Sequence, residues 1–163
     1  MLIAFDLDGT ICDLSHRLHY LKPKQNQPDR VGPATPFKPD WDAFFEACDM
    51  DMPIFEIVEL CNDLIESGNK IIFVSGRNSV VREKTLDWLV ENIYYSRKFL
   101  DKILYMRSQN DRRPDYLVKY DLLTKIISDY GKKPELIFDD RQQVVDMFRK
   151  EGIRVCQVAP GQF

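Results

Sequence analysis

Short apolar runs alternate with longer amphipathic segments along this chain, and this alternation restricts its fold more than any other feature. Five runs are predicted to be strands: Leu2–Phe5, Lys70–Val74, Lys102–Met106, Glu135–Phe138 and Ile153–Val158. Four segments between them place apolar residues at the helical period and are predicted to be helices: Pro53–Ser67, Ser79–Asn92, Pro114–Tyr130 and Gln142–Glu151. This order predicts an α/β fold, a doubly wound, Rossmann-like, five-stranded parallel sheet with helices on both faces.

The segment from Ile11 to Met52 interrupts the alternation, because it is too long for a simple connection between a strand and its helix. Within it, Asp40–Cys48 is predicted to be a short helix. The stretch Lys22–Pro39 is rich in Pro, Lys, Gln and Asn and is predicted to be an exposed loop. We therefore expect one domain over residues 1–163, with a small cap inserted at about residues 12–52.

Composition excludes some classes of protein. The net charge of −3 provides no overall basic field that would attract nucleic acid, although a local basic patch remains open. The four cysteines form no CxxC pair, which argues against zinc and redox sites, and Cys61 and Cys156 are predicted to be buried thiols. With no signal peptide and no membrane-spanning run in the sequence, a cytoplasmic location and no membrane partner are expected.

Polar clusters follow four of the predicted strands. They are Asp6 and Asp8 with Gly9 and Thr10, then Ser75, Gly76 and Arg77, then Arg107, Arg112 and Arg113 with Asp115 and Lys119, and finally Asp139, Asp140 and Arg141. Because the carboxyl ends of parallel strands meet at one edge of a sheet, these side chains are expected to lie together.

Two carboxylates as close as Asp6 and Asp8 repel each other unless a cation or a proton lies between them. Mg²⁺ prefers oxygen ligands, and its predicted ligands are Asp6, Asp8, Asp139 and Asp140. A carboxylate beside Mg²⁺ can attack phosphorus, and a second carboxylate can move the proton. This chemistry predicts Asp6 as nucleophile and Asp8 as general acid and base.

The motifs "DLDGT", "SGR", a lysine at a helix start and "FDDR" resemble, in order, the four motifs of the haloacid dehalogenase superfamily of phosphotransferases. The blocks "SGR", "RRPDYLVK" and "FDDRQQVVDMFRKEGIRVCQVAPGQF" are similar to the 3′-phosphatase domain of phage-type polynucleotide kinase-phosphatases. The resemblance covers residues 1–17 and most of the chain from Pro53 onward. It implies an Mg²⁺-dependent phosphomonoesterase that forms an aspartyl-phosphate and removes 3′-phosphate from DNA or RNA ends.

The chain departs from these enzymes in two ways. The segment Leu18–Met52 is longer than its counterpart, and the sequence contains no GxxxxGK[ST] phosphate loop. The 5′-kinase half is therefore expected to be absent, with a separate kinase or ligase as a possible partner. A free nucleoside monophosphate or another small phosphate ester is the alternative substrate. A phosphorylation-dependent switch is the remote alternative, and Asp8 argues against it because a second carboxylate would hydrolyse the aspartyl-phosphate.

The remaining candidates are expected to bind or orient the phosphate. They are Ser75, Gly76 and Arg77 after the second strand, Lys119 with Asp115 one helical turn before it, Arg113 with its neighbour Arg112 on a basic rim, Thr10 beside Asp8, and, by resemblance, Arg17. The alternative, purely structural roles are a turn hydroxyl for Thr10, a cap or turn serine for Ser75, and a solvated surface arginine for Arg17.

Two further groups of side chains each have two alternative roles. His16 and His19 are spaced for a helical turn but are more often surface histidines than metal ligands. Trp41, Phe44 and Phe45 could stack a nucleobase, or they could simply form the core of a small cap.

Overall fold

The computed structural model describes residues 1–22 and 37–161. Its strands are β1 (Leu2–Phe5), β2 (Cys12–Asp13), β3 (Met52–Pro53), β4 (Lys70–Asn78), β5 (Leu104–Arg107), β6 (Leu136–Asp139) and β7 (Arg154–Gln157). Five of them form a parallel sheet in the order β5-β4-β1-β6-β7, and β2 pairs with β3 in a separate ribbon. The chain crosses the sheet in both directions from β1, which confirms the predicted doubly wound α/β fold.

Six α-helices are present in the described residues: α1 (Trp41–Glu46), α2 (Phe55–Glu66), α3 (Arg82–Asn92), α4 (Arg97–Ile103), α5 (Asp115–Tyr130) and α6 (Gln142–Lys150). Short 3₁₀ turns occupy Ser15–Tyr20, Ala47–Met50 and Ser79–Val81. Helix α5 ends at Tyr130 as predicted, because Gly131, which follows it, adopts the left-handed conformation (φ 70°) that closes a helix.

The core lies around the central strand β1, whose four residues are all fully buried. Phe5 and Phe138, on adjacent strands, stack with ring centroids 4.4 Å apart and planes 5° from parallel. The backbone N–H of Asp6 continues the pairing by donating to the carbonyl of Phe138 at 2.9 Å. The ends of β1 and β6, each followed by carboxylates, are therefore held side by side by apolar packing.

Residues 12–53, called the insertion segment below, leave the sheet and return to the same place. In the β2–β3 ribbon Cys12 lies opposite Pro53 and Asp13 opposite Met52. The predicted helix Asp40–Cys48 is present as α1, whose N-cap Asp40 accepts a hydrogen bond from the N–H of Ala43, and the 3₁₀ turn that follows. Most of the predicted loop Lys22–Pro39 lies outside the described residues.

Two strand boundaries differ from prediction by two residues or more. The predicted strand Lys102–Met106 begins only at Leu104, and the unpredicted helix α4 precedes it. Its buried residues, Leu100 and Ile103, are spaced as on a helix face, and short apolar runs leave that choice ambiguous. Strand β4 continues to Asn78 with a register shift after Ser75, so the residues expected beyond it belong to the strand.

Three smaller expectations are wrong. Helix α2 begins at Phe55 rather than Pro53, because Pro53 belongs to the β3 ribbon. Helix α3 begins at Arg82 rather than Ser79, because residues Ser79–Val81 form a 3₁₀ turn in which the side chain of Asn78 accepts from the N–H of Val80 at 3.0 Å. Cys156 is exposed rather than buried, since it lies on the edge strand β7, where apolar sequence does not guarantee cover on both faces.

Candidate active site

A tight turn directly after β1 sets the position of the two N-terminal aspartates. The carbonyl of Leu7 accepts hydrogen bonds of 2.9 to 3.1 Å from the backbone N–H groups of Thr10, Ile11 and Cys12. Gly9 has φ +83°, a conformation that glycine adopts without strain. Leu7 is fully buried, and the aspartates on either side of it, Asp6 and Asp8, both line one pocket.

Asp6, Asp139 and Asp140 bring carboxylate oxygens within 4.8 Å of one another, and each residue is at most 3% exposed. Burial together with the neighbouring carboxylates raises the pKa of Asp6, against the opposing effect of Lys119. Burial and Asp139 raise the pKa of Asp140 to about 6. Among the described residues, the buried Oδ1 of Asp140 has no hydrogen-bond partner. An open carboxylate oxygen in an all-oxygen, repelling cluster fits a hard divalent cation such as Mg²⁺.

Lys119 is the cation that the structure places against this cluster. Its Nζ lies 2.7 Å from Asp6 Oδ1, 2.8 Å from Asp139 Oδ2 and 3.5 Å from Asp115 Oδ2. Asp115, one helical turn before Lys119, therefore forms an ion pair with it. Burial opposes its charge, but Asp139 and Asp6 outweigh this effect and raise the pKa of Lys119, which stays charged.

Asp115 also holds the neighbouring arginines. It accepts from Arg107 Nη2 at 3.1 Å and lies 3.3 Å from Arg141 Nη1. A Cβ on Gly76 would lie 2.1 Å from Asp115 Oδ1, so only glycine lets β4 pass this carboxylate. Gly76 and Asp115 thus position each other, and both border the pocket.

Asp8 is held by two arginines through one oxygen. Its Oδ1 accepts from Arg77 Nε at 2.8 Å, Arg77 Nη2 at 2.6 Å and Arg17 Nη2 at 2.6 Å. Burial opposes ionisation, but Arg77 and Arg17 outweigh it and lower the pKa of Asp8 to about 2. Within the described chain no side chain donates to the other oxygen, Oδ2, and the Asp8 side chain keeps 11% exposure.

Asp51 completes this cluster and was not found from the sequence. It accepts from both arginines, from Arg17 through Nε and Nη2 and from Arg77 through Nη2, each at 2.6 Å. The indole N–H of Trp88, which is buried in the core, donates to the Asp51 carbonyl at 2.7 Å. The sequence alone gives no signal for Asp51, because the need for a second carboxylate appears only once both arginines are known to be buried.

Arg17 and Arg77 were expected to contact substrate phosphate directly, with a solvated surface as the alternative for Arg17. Both are fully buried, which rules out that alternative for Arg17. Their guanidinium groups bind Asp8 and Asp51, and Arg17 also lies over the ring of Phe44, 4.2 Å from its centroid. In this structure, therefore, both arginines orient the carboxylate of Asp8.

The other predicted phosphate contacts differ in exposure. Ser75 is fully buried and its Oγ accepts from the N–H of Arg77 at 3.1 Å, which leaves its hydroxyl proton to donate. The buried hydroxyl of Thr10 has no partner among the described residues and so does not hold Asp8. Arg113 binds Asp111 and Asp121, each at 2.6 Å, so the more available cation on this rim is the exposed Arg112.

A second acidic group, Asp8 with Cys12 and Asp51, also has metal-like spacing. Its carboxylates already bind the two arginines. Burial, partly offset by Arg77, raises the pKa of the Cys12 thiol, so the thiolate that a metal requires is disfavoured. The arrangement is a buried ion cluster rather than a metal site.

The pocket has a volume of about 470 Å³ and two unlike walls. One wall comes from α1 and carries Trp41, Phe44 and Phe45, and another comes from the β5–α5 connection. His19 is exposed, and the equally exposed His16 places Nε2 2.8 Å from Asp51 Oδ1, so the histidines lie on the surface as expected. Of the described helices, none is long and apolar enough to cross a membrane.

A doubly wound sheet with paired carboxylates at the ends of two adjacent strands, and a buried lysine between them, defines a phosphatase of the haloacid dehalogenase superfamily. Within that superfamily the chain belongs to the family described as the polynucleotide kinase PNKP phosphatase domain, which matches residues 41–163. The resemblance found in the sequence is thereby confirmed.

Solved structures agree with this assignment. A chain of the Pnkp1/Rnl/Hen1 RNA repair complex is 29% identical, with a TM-score of 0.73 over 99% of this chain. This chain spans 43% of that protein's length, and 46% in a second Pnkp1/Rnl/Hen1 complex of TM-score 0.71 and the same identity. A haloacid dehalogenase-like hydrolase from Streptococcus pneumoniae shares the fold at 14% identity and a TM-score of 0.55, over 94% of this chain and 82% of its own.

Proposed function

We propose that this phosphatase removes the 3′-phosphate from nucleic acid ends, using Mg²⁺ and an aspartyl-phosphate on Asp6. The observation that carries the proposal is that one pocket contains two carboxylates with different charged neighbours. Asp6 lies among carboxylates and against Lys119, whereas Asp8 is held by arginines. The membership of the PNKP phosphatase family supports the choice of a polynucleotide end as substrate.

In the first step Asp6 attacks phosphorus, the bond to the 3′-oxygen breaks, and Asp8 gives a proton to that oxygen. In the second step Asp8 takes a proton from water, which attacks phosphorus and releases inorganic phosphate from Asp6. Asp8 is ionised in the free protein, since its pKa is lowered to about 2. A bound phosphate brings negative charge next to Asp8 and so favours the protonated form that the first step needs.

The residues that would hold Mg²⁺ are Asp6, Asp139 and Asp140, with Asp8 nearby on the same turn. When bound, the ion supplies positive charge that offsets the phosphoryl oxygens and the nucleophile. Lys119 adds a fixed charge at Asp6, and Ser75 has a hydroxyl proton to donate. Arg112 and Arg113 on the rim supply a local basic wall on an otherwise acidic protein.

A mononucleotide is the second candidate substrate. The pocket volume of about 470 Å³ favours it, because that is the size of a site for one small ligand. A polynucleotide end would place only its last nucleotide there. The product of the proposed reaction is a 3′-hydroxyl end, which an end-joining enzyme requires. A separate ligase or kinase is therefore the proposed partner, and the Pnkp1 relatives in complexes with Rnl and Hen1 support it.

The test measures phosphate release by the protein, by Asp6→Asn and by the control Asp63→Asn, which changes an exposed aspartate on α2. Substrates are a 3′-phosphorylated oligonucleotide, a 5′-phosphorylated oligonucleotide and a set of nucleoside monophosphates, each with Mg²⁺ or EDTA. We expect phosphate release mainly from the 3′ end. EDTA and Asp6→Asn should each abolish this release, and Asp63→Asn should leave it unchanged. Release mainly from mononucleotides would keep the chemistry but replace the substrate, and equal activity in Asp6→Asn would refute the mechanism.

A further inference from the structure

The aromatic wall of the pocket is built in a way that a simple cap core does not require. Trp41, Phe44 and Phe45 have the i, i+3, i+4 spacing that places side chains on one face of a helix, and all three border the pocket that contains Asp6. Phe44 is fully buried, Phe45 is half-buried, and Trp41 is 45% exposed. The wall therefore runs from a buried base to an exposed edge at the pocket mouth.

Phe44 fixes this wall to the catalytic cluster. Its ring lies 4.2 Å from the guanidinium carbon of Arg17, and its carbonyl accepts from Arg17 Nη1 at 3.2 Å. The rings of Phe44 and Phe45 meet edge to face, with centroids 5.6 Å apart. Trp41 and Phe45 are tilted by 33° with centroids 6.0 Å apart, so they do not stack on each other face to face.

The charges around the pocket favour different parts of one ligand on its two walls. Arg107, Arg112 and Arg113 line the pocket around the β5–α5 connection together with Asp111 and Asp115, which leaves this part with a net positive charge. Asp42, on the first turn of α1, puts a carboxylate on the aromatic wall, which repels phosphate from that side. A ligand with an anionic backbone and a flat uncharged ring fits this division, with its ring toward α1 and its phosphates toward the arginines.

We propose that Trp41 and Phe45 form a stacking subsite for the base of the nucleotide whose phosphate is removed. This inference rests on the proposed function, since it assigns the nucleoside part of the same substrate. Stacking is tolerant of base identity, because every base presents a flat aromatic face. The subsite thus provides affinity for any terminal nucleotide without requiring a particular sequence.

Fluorescence measures the contact directly. The chain has two tryptophans, and Trp88 is buried in the core, so a ligand in the pocket affects mainly Trp41. In the inactive Asp6→Asn background, we expect a 3′-phosphorylated oligonucleotide to quench the emission, and the same oligonucleotide with an abasic 3′ end to quench it much less. Adding Trp41→Phe should remove the signal while keeping an aromatic ring. Equal emission with and without saturating oligonucleotide would overturn the proposal.

Kinetics give the second measurement. Trp41→Ala should raise KM for the base-bearing end about tenfold, in the range expected for one lost stack, and should bring its preference over the abasic end close to unity. Tyr94→Ala, which removes an exposed aromatic residue outside the pocket, is the matched control. An unchanged preference for the base-bearing end in Trp41→Ala would refute the subsite.

Failure of the proposed function is distinguishable from failure of the subsite. If the wild type hydrolyses mononucleotides but not oligonucleotide ends, the polynucleotide function is wrong. The subsite is then supported if a mononucleotide quenches Trp41 and a sugar phosphate without a base does not. It is refuted if neither ligand changes the emission.

Discussion

Asp51 accepts two hydrogen bonds from Arg17, from Nε to Oδ1 and from Nη2 to Oδ2, each at 2.6 Å. Neither side chain is exposed to solvent. Arg17 stands near the start of the insertion segment and Asp51 near its end, so this fork closes the segment next to Asp8. Two-point contacts between a guanidinium and a carboxylate are geometrically specific, which makes the pair suited to orientation.

We expect Asp51→Asn to lower both stability and turnover. It leaves Arg17 and Arg77 buried with only Asp8 to balance them, and breaking a buried pair costs about 3 to 5 kcal/mol. The unfolding temperature should therefore fall by about 10 °C. Because the arginines also hold Asp8, kcat for phosphate release should fall tenfold or more. Differential scanning fluorimetry and steady-state kinetics measure the two effects.

The control for this substitution is Asp49→Asn, which changes an exposed aspartate on the 3₁₀ turn directly before Asp51, 3.6 Å from Lys84. Exposed pairs of this kind contribute little, so its unfolding temperature and kcat should match those of the wild type. An Asp51→Asn protein as stable and active as Asp49→Asn would show that the buried cluster does not orient Asp8.

Lys119→Met should reduce kcat by about 100-fold or more, because it removes the fixed cation beside Asp6 and Asp139. Without that charge the pKa of Asp6 rises further and less of the nucleophile is ionised. Added Mg²⁺ should restore part of the lost stability but little of the turnover. Lys125→Met, on the exposed face of the same helix α5, is the control. A Lys119→Met enzyme with wild-type kcat would contradict the assigned role.

Gly9→Ala and Gly68→Ala separate backbone strain from damage to the site. Both glycines have positive φ, +83° and +78°, so either alanine costs about 1 to 2 kcal/mol of stability. A Cβ at Gly9 would lie 2.4 Å from Asp140 Oδ2, whereas nothing lies within 4 Å at Gly68. We expect only Gly9→Ala to lose phosphate release and the stabilisation by Mg²⁺ in a thermal titration. Equal behaviour of the two variants would exclude a role for the close approach to Asp140.

Asp140 should make the metal-free protein less stable as pH rises. Its pKa is raised from 3.8 to about 6, so between these values the folded state binds more protons than the unfolded state. The free energy of unfolding therefore falls as pH increases through this window, and the loss is complete above about pH 6. In EDTA, Asp140→Asn should be more stable than the wild type at pH 7.5, by about 1 to 3 kcal/mol, with little difference at pH 4.

Denaturant unfolding of both proteins at the two pH values measures this difference. Mg²⁺ binding to the wild type should strengthen as pH rises through about 6, because the ligands must be deprotonated. If Asp140→Asn were no more stable than the wild type at pH 7.5 in EDTA, the carboxyl would not carry the raised pKa.

The sequence predicts the fold and the grouping of the carboxylates at one edge of the sheet, for a physical reason. Strand β1 and the end of β6 are apolar runs that end abruptly in aspartates, and parallel sheets bring such ends together. Helix α4 was missed because its apolar residues fit a strand equally well at short length. The exposed Cys156 is a different kind of error, because the strand was predicted correctly and only its burial at the edge of the sheet was not.

Asp51 and the burial of Arg17 could not be read from the chain in the same way. Both belong to the insertion segment, where no periodic pattern fixes which side chains turn inward. Their positions depend on contacts between residues that are distant in sequence, as with the 34 positions that separate Arg17 from Asp51. Charge balance among buried groups becomes visible only once the burial itself is known.

The β2–β3 ribbon brings the two ends of the insertion segment together, so the segment joins the rest of the fold at one place. A fold can usually accept an insertion whose two ends meet at one exposed place without disturbance of its core. Arg17 and Asp51 belong to the insertion segment, whereas Arg77 belongs to the sheet and Asp8 to the turn directly after β1. A transplanted segment would thus carry half of a four-charge cluster into a host that lacks the other half. Any change at Arg17 or Asp51 is therefore also a change in the surroundings of Asp8, so the insertion segment and the sheet have to change as a pair.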